Sequence, residues 1–117
     1  MTDIREQLDD MVRVDGIKAA VIVGRDGFVI DAATEGPSLD AETLGAVISA
    51  SLSATELMGT ELGLGNLNRG MVEFRDYVLL VNQLGQEAVL AVMAEPRFMG
   101  IARHHVKKRT PALLNVL

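Results

Sequence analysis

Apolar residues open the chain at helical spacing. Ile4, Leu8, Met11 and Val12 fall at i, i+4, i+7 and i+8 and make one stripe. Asp3 and Glu6 have the spacing of a capping box, with a carboxylate in place of the usual hydroxyl, and Asp15-Gly16 supplies a stop. From Ile17 the period drops to two. Ile17 to Gly24 reads as a strand with Val21 and Val23 on one face and Ala20 and Ile22 on the other. Both faces are apolar, so this strand is covered on both sides. Arg25-Asp26-Gly27 reads as a turn, because Asp-Gly tolerates the positive φ of tight hairpins. Phe28 to Ala33 returns as a second strand with Phe28, Ile30 and Ala32 on one face. Thr34 to Leu39, with Gly36-Pro37-Ser38, is a loop.

Asp40 caps a long helix. At about 100° per residue, Leu44, Val47, Ile48, Leu52, Met58 and Leu62 cluster on one side together with Ser51 and Thr55. Ala46, Ala50, Ala54 and Leu57 form an adjoining stripe of mostly small residues. Only Glu42, Ser49, Ser53, Glu56 and Thr60 keep a polar strip. The apolar face is wider than a surface helix of a monomer needs, so this helix is expected to pack against its own sheet and against another helix.

Gly63, Gly65, Asn66, Asn68 and Gly70 mark a loop. Arg69 to Arg75 then alternates, with Gly70, Val72 and Phe74 on one side and Arg69, Met71, Glu73 and Arg75 on the other. This is the pattern of a half-buried strand at a sheet edge. Tyr77 to Leu84 and Ala88 to Ala94 are apolar on both faces and read as central strands joined by a hairpin near Gly85-Gln86. Pro96 sits just inside a further helix start, Pro111 is expected to disrupt that helix, and Leu113 to Leu117 is expected to be a tail. The order is helix-strand-strand-helix-strand-strand-strand-helix. Hairpin connections require a mainly antiparallel five-stranded sheet with helices on both faces, a single α/β domain over residues 1–117.

With 117 residues, 49% of them hydrophobic, the chain has enough apolar side chains for a core. Size scaling expects a folded surface of roughly 6,000 Å². There is no cysteine, which removes disulfides, thiolate metal sites and cysteine nucleophiles and suits a reducing, cytoplasmic setting. No apolar run has membrane-spanning length, and Met1 to Glu6 is unlike a signal peptide. The net charge of −5 is uneven. Residues 1–95 hold all 16 acids, whereas residues 96–117 hold Arg97, Arg103, Lys107, Lys108 and Arg109 and no acid. An acidic body and few aromatics argue against nucleic-acid binding. The basic stretch at about 107–117 reads as a solvated helix end, or as a contact for an acidic partner or membrane.

Catalytic chemistry is sparse. Gly63-Leu64-Gly65 lacks the rest of a dinucleotide fingerprint, so no cofactor is expected. His104 and His105 are adjacent and point about 100° apart on a helix, which does not suit chelation. Asp26 and Asp31 could pair across the first hairpin, but the turn already explains Asp26. Ser49, Ser51 and Ser53 lack an activating partner. Arg69 and Arg75 flank the edge strand; either could contact a phosphate or act as a finger in trans, but edge strands carry charges anyway to discourage wrong pairing. The chain is expected not to be an enzyme.

These patterns resemble the roadblock / dynein light chain family, in particular its bacterial MglB-like members. The residues that carry the resemblance are Val14-Asp15-Gly16-Ile17, the run from Ala20 to Asp31 with its Val-Ile-Val and Asp-Gly, the Ala/Ser-rich helix, Val72-Glu73-Phe74, Val89-Leu90-Ala91-Val92 and Phe98-Met99-Gly100-Ile101. The resemblance implies a two-fold homodimer in which the third strand pairs with its copy and the long helices lie side by side. It also implies a module that binds and regulates small Ras-like GTPases, or else serves as a non-catalytic scaffold or light-chain subunit. The longer MglB-like members carry an extended C-terminal segment that this sequence lacks beyond Leu117, so no tail-dependent activity is expected.

The wide helix face and the alternating edge strand both ask for such a partner. Dimer contacts are therefore expected at Ala46, Val47, Ala50, Ser51, Ala54 and Met58 on the helix and at Gly70, Met71, Val72, Glu73 and Phe74 on the strand. Each copy should bury on the order of 800 Å² or more. Ser49, Ser53 and Glu56 are the expected GTPase contact. A small-molecule sensor ranks lower, because strands apolar on both faces leave few polar anchors.

Overall fold

Asp3 begins the first helix as its spacing to Glu6 suggests, its Oδ1 accepting the Glu6 N–H at 2.8 Å. Helix α1 (Ile4–Val12) buries Leu8 and Met11. The computed structural model describes residues 3–35 and 40–117, so the loop around Gly36-Pro37-Ser38 lies outside the described residues. Strands β1 (Ile17–Gly24), β2 (Val29–Thr34), β3 (Arg69–Glu73), β4 (Val78–Leu84) and β5 (Ala88–Ala94) form one antiparallel sheet in the order β2-β1-β5-β4-β3. Helix α2 (Ala41–Leu62) lies between β2 and β3 in the chain, and a turn of 3-10 helix at Pro96–Phe98 leads into α3 (Met99–Val116).

The pleat sorts the core into two layers. Ala20, Ile22, Leu80, Leu90 and Val92 face α1 and α3 and belong to a cluster of sixteen buried residues. Val21, Val23, Val89 and Ala91 face α2 with Ile48 and Leu52, in a cluster of only six. The two faces expected for β1 are thus the two faces of the whole sheet.

Two local expectations change. On β2, Ile22 pairs with Asp31 and Val23 with Val29, so Ile30 is an extra residue in a bulge. The bulge turns Val29 and Ala32 toward the α2 layer and leaves Phe28 and Ile30 exposed, so Phe28, Ile30 and Ala32 do not share a face. Pro111 does not break α3, which runs on to Val116. Leu113 is fully buried, and the Thr110 hydroxyl donates to the Val106 carbonyl at 2.7 Å while accepting from Asn82 Nδ2 at 2.8 Å. Burying Leu113 and tying Thr110 to β4 offset the backbone hydrogen bond that proline cannot make.

Helix α2 is held at its start by Asp40. Its Oδ1 accepts the Glu42 N–H and its Oδ2 the Thr43 hydroxyl, at 3.1 and 2.7 Å. The Thr43 and Glu42 hydrogen bonds hold this carboxyl below the usual aspartate range. Gly63 and Leu64 close the helix by donating to the carbonyls of Thr60 and Gly59, so Gly63-Leu64-Gly65 is a helix cap. Of its 22 residues only Gly45, Ile48 and Leu52 are buried. The molecule measures 39 × 36 × 25 Å and exposes 7139 Å². That is about 1,000 Å² more than size scaling expects.

Candidate interaction surface

Much of the exposed apolar surface lies on the α2 side of the sheet. Helix α2 packs mainly on β1 and β2, at one end of the sheet, and covers little of β3 and β4 at the other. Leu79 and Val81 of β4 are therefore only partly buried there. Their register partners Val72 and Gly70 carry the same face out to the edge strand, every residue of which is exposed. Val72 is 50% and the following Phe74 60% exposed. On α2 itself Val47, Leu57, Met58 and Leu62 are all more than half exposed, beside the exposed small residues Ala46, Ala50 and Ala54. A bare helix flank and a bare half-sheet thus lie on the same side of the sheet, far more apolar surface than scattered residues give. Beside it, β3 pairs with β4 alone among the described strands, so its outer backbone N–H and C=O groups are open to a further strand.

All eleven expected dimer contacts are exposed, but they do not share one face. Ala46, Val47, Ala50, Ser51, Ala54 and Met58 lie on α2, and Gly70, Val72 and Phe74 lie toward the α2 side. Met71 and Glu73 stand opposite Leu80 and Val78 and so face the α1–α3 side. They can meet a partner only through the strand's backbone or its edge.

The polar strip is already occupied. Arg25 Nη1 donates to both carboxylate oxygens of Glu56 at 2.6 Å, pinning the β1–β2 turn to α2. The Ser49 hydroxyl donates to the Arg25 carbonyl at 3.4 Å and the Ser53 hydroxyl to the Ser49 carbonyl at 3.2 Å. These groups line a hollow of about 70 Å³. Sequence reasoning assigned Arg25 only to a turn; its partner lies 31 residues away, and no local pattern reveals that pairing.

Among the described residues, the other candidate polar groups are engaged locally. Asp26 Oδ1 accepts the Phe28 N–H, whereas Asp31 Oδ1 accepts the Ala32 N–H and an Arg5 guanidinium, so the two carboxylates serve separate local roles. Arg75 pairs with Asp76 at 3.1 Å. The rings of His104 and His105 meet edge to face, 5.4 Å between centroids. Burial, and then the His104, Lys108 and Arg109 charges, push the His105 imidazole below its ordinary value. Among the described residues no three His, Asp or Glu side chains gather to hold a metal, and no helix is long and apolar enough to cross a membrane.

Comparison with known proteins places this geometry. The family model described as the Roadblock/LC7 domain matches residues 3–94. An uncharacterized protein of Methanocaldococcus jannaschii, MJ0310, is 34% identical over 100 residues, covering 85% of this chain and 86% of its own. Among solved structures, Myxococcus xanthus MglB superposes with a TM-score of 0.89 at 20% identity, over 97% of this chain and 93% of its own. The gliding protein MglB of Thermus thermophilus gives 0.85 at 23% identity, over 95% and 85%.

Proposed function

Since the chain belongs to the Roadblock/LC7 domain family, we propose that two copies join through β3 and α2 and that this dimer, in the cytoplasm, binds and regulates a separate small Ras-like GTPase. The observation that carries the assembly is the exposed apolar surface of α2 and of the uncovered half-sheet, on one side of a sheet with an open strand edge. Pairing β3 with its copy satisfies the edge, and a two-fold axis there brings each α2 toward the other's uncovered half-sheet. The exposed alanines of α2 let two helix backbones approach closely, while Val47 and Met58 lose water. The two helices then form one platform, rimmed on each side by Ser49, Ser53 and Glu56.

The GTPase reading rests on the family resemblance, and the platform gives it a place. Any effect on hydrolysis comes from positioning the GTPase's own groups, because the polar strip offers hydroxyls and a carboxylate already engaged within the chain. The same internal bonding favours a second reading, a scaffold that holds its partner without changing turnover.

Sedimentation velocity at micromolar concentration tests the assembly. The wild type should run as a dimer and Ala50→Arg as a monomer, since a close helix contact does not accommodate an unpaired cation. A wild-type monomer overturns the assembly. GTP-binding proteins retained from source lysate are then assayed with the dimer. Altered hydrolysis or exchange supports regulation and unaltered rates support the scaffold. Retention that survives Ser53→Arg/Glu56→Arg in an intact dimer rejects that rim as the contact.

A further inference from the structure

The opposite face of the sheet carries a cleft of about 380 Å³, in the size range of small-molecule sites. One wall is a face of α3, from which Arg103, Val106, Lys107 and Thr110 follow at three- and four-residue intervals. Arg69 and Met71 of β3 stand across from it, in register with Asn82 and Leu80 of β4 on the same sheet face. Met71, Leu80 and Val106 give the cleft an apolar lining. Asn82 and Thr110 add a bonded polar pair, an anchor of the kind not expected from the strand pattern.

Its charge is unusual for this protein. Seven of the 11 basic side chains lie within ion-pair distance of a carboxylate: Arg5, Arg13, Lys18, Arg25, Arg75, Arg97 and Arg109. Four have no such partner among the described residues, and three of those four, Arg69, Arg103 and Lys107, line this one cleft. Among the described residues no acid lines it, in a chain with 16 acids. These three cations, set around an apolar floor, have no carboxylate within ion-pair distance among the described residues.

We propose that this cleft binds a small amphipathic anion from solution, a molecule with an apolar body and a carboxylate or phosphate head. The body lies against Met71, Leu80 and Val106, and the head lies among Arg69, Arg103 and Lys107. Arginine forks suit such heads because they donate two hydrogen bonds at once. A bounded cleft, unlike a long groove, selects a compact ligand. The inference does not need the proposed dimer: a strand added to β3 lies in the plane of the sheet, beside this cleft rather than over it.

Decyl phosphate below its micelle concentration is the probe, titrated into the ¹⁵N-labelled full chain. Amide shifts should saturate and centre on residues 69–71, 80–82 and 103–110. Affinity should fall about tenfold or more in Arg69→Gln/Arg103→Gln, because charge-assisted hydrogen bonds to the head are lost. It should also fall as salt is raised. Both substitutions are at exposed positions, and an unchanged circular dichroism spectrum shows that the fold is kept. Neutral decyl maltoside, tested on the wild type, should not saturate these amides. Equal binding of the maltoside, shifts centred on α2, or undiminished affinity in the double variant overturns the proposal. So does binding to phosphatidylserine vesicles without binding of the monomeric probe.

Discussion

Gly16 occupies a position where no side chain fits. Its φ is +89°, and a Cβ built there would lie 2.2 Å from Cγ of Phe98. Gly16→Ala is expected to destabilise the fold by about 2–4 kcal/mol, combining left-handed backbone strain with overpacking. Urea unfolding measures this, and adding Phe98→Ala should return part of the loss. The sequence shows Gly16 as a stop but not its neighbour, because Phe98 arrives from the far end of the chain. The two histidines repeat that lesson. Adjacency tells that the rings diverge, but the rotation of α3, set by buried Ala102, Val106 and Leu113, decides that His105 is the one drawn inward. Its folded-state affinity for protons is lowered, so the unfolded chain binds more protons and stability rises with pH. The loss sets in as pH falls through the ordinary histidine value, about 6.5, and is complete below the depressed folded value. His105→Leu should flatten the stability profile as pH falls through the ordinary histidine value, read from urea midpoints.

At the scale of elements, helices and strands follow the two periods of the apolar pattern, and the edge position of β3 was legible in its alternation, but its expected half-burial is not met, since every residue of the strand is exposed. The departures come where tertiary contacts outweigh a local rule. The β2 bulge adds one residue that no period announces, and it exchanges the faces of Phe28 and Val29. Pro111 obeys the helix-breaking rule in its chemistry but not in its outcome, since Leu113 and the Asn82–Thr110 bond hold the chain on course. Pro111→Ala restores an N–H to the helix interior and should raise stability by about 1–3 kcal/mol. Thermal unfolding of the two forms checks this, and a loss would mean that the proline ring packs better than the added bond stabilises.

Taken whole, the molecule is lopsided. Sixteen buried residues bind α1 and α3 to one side of the sheet and six bind α2 to the other. The sequence showed an apolar surplus on α2. It did not show that α2 sits off-centre over β1 and β2, because that placement depends on strand order. Val72→Lys puts a charge into the uncovered half-sheet while adding little to the monomer's own burden, as Val72 is half exposed. It should weaken self-association at least tenfold with little change in the fold, a pairing of effects that sedimentation and circular dichroism resolve together.

A long helix gripped by three buried residues is also a helix that can let go. Its amides should trade hydrogen for deuterium well ahead of those in β1, β5 and α3. If the copies do associate, each α2 gains a second grip, and the trade should slow as protein concentration rises. Dilution alone would then loosen the platform, and any partner that needs both helices firm would sense how much of this protein is present.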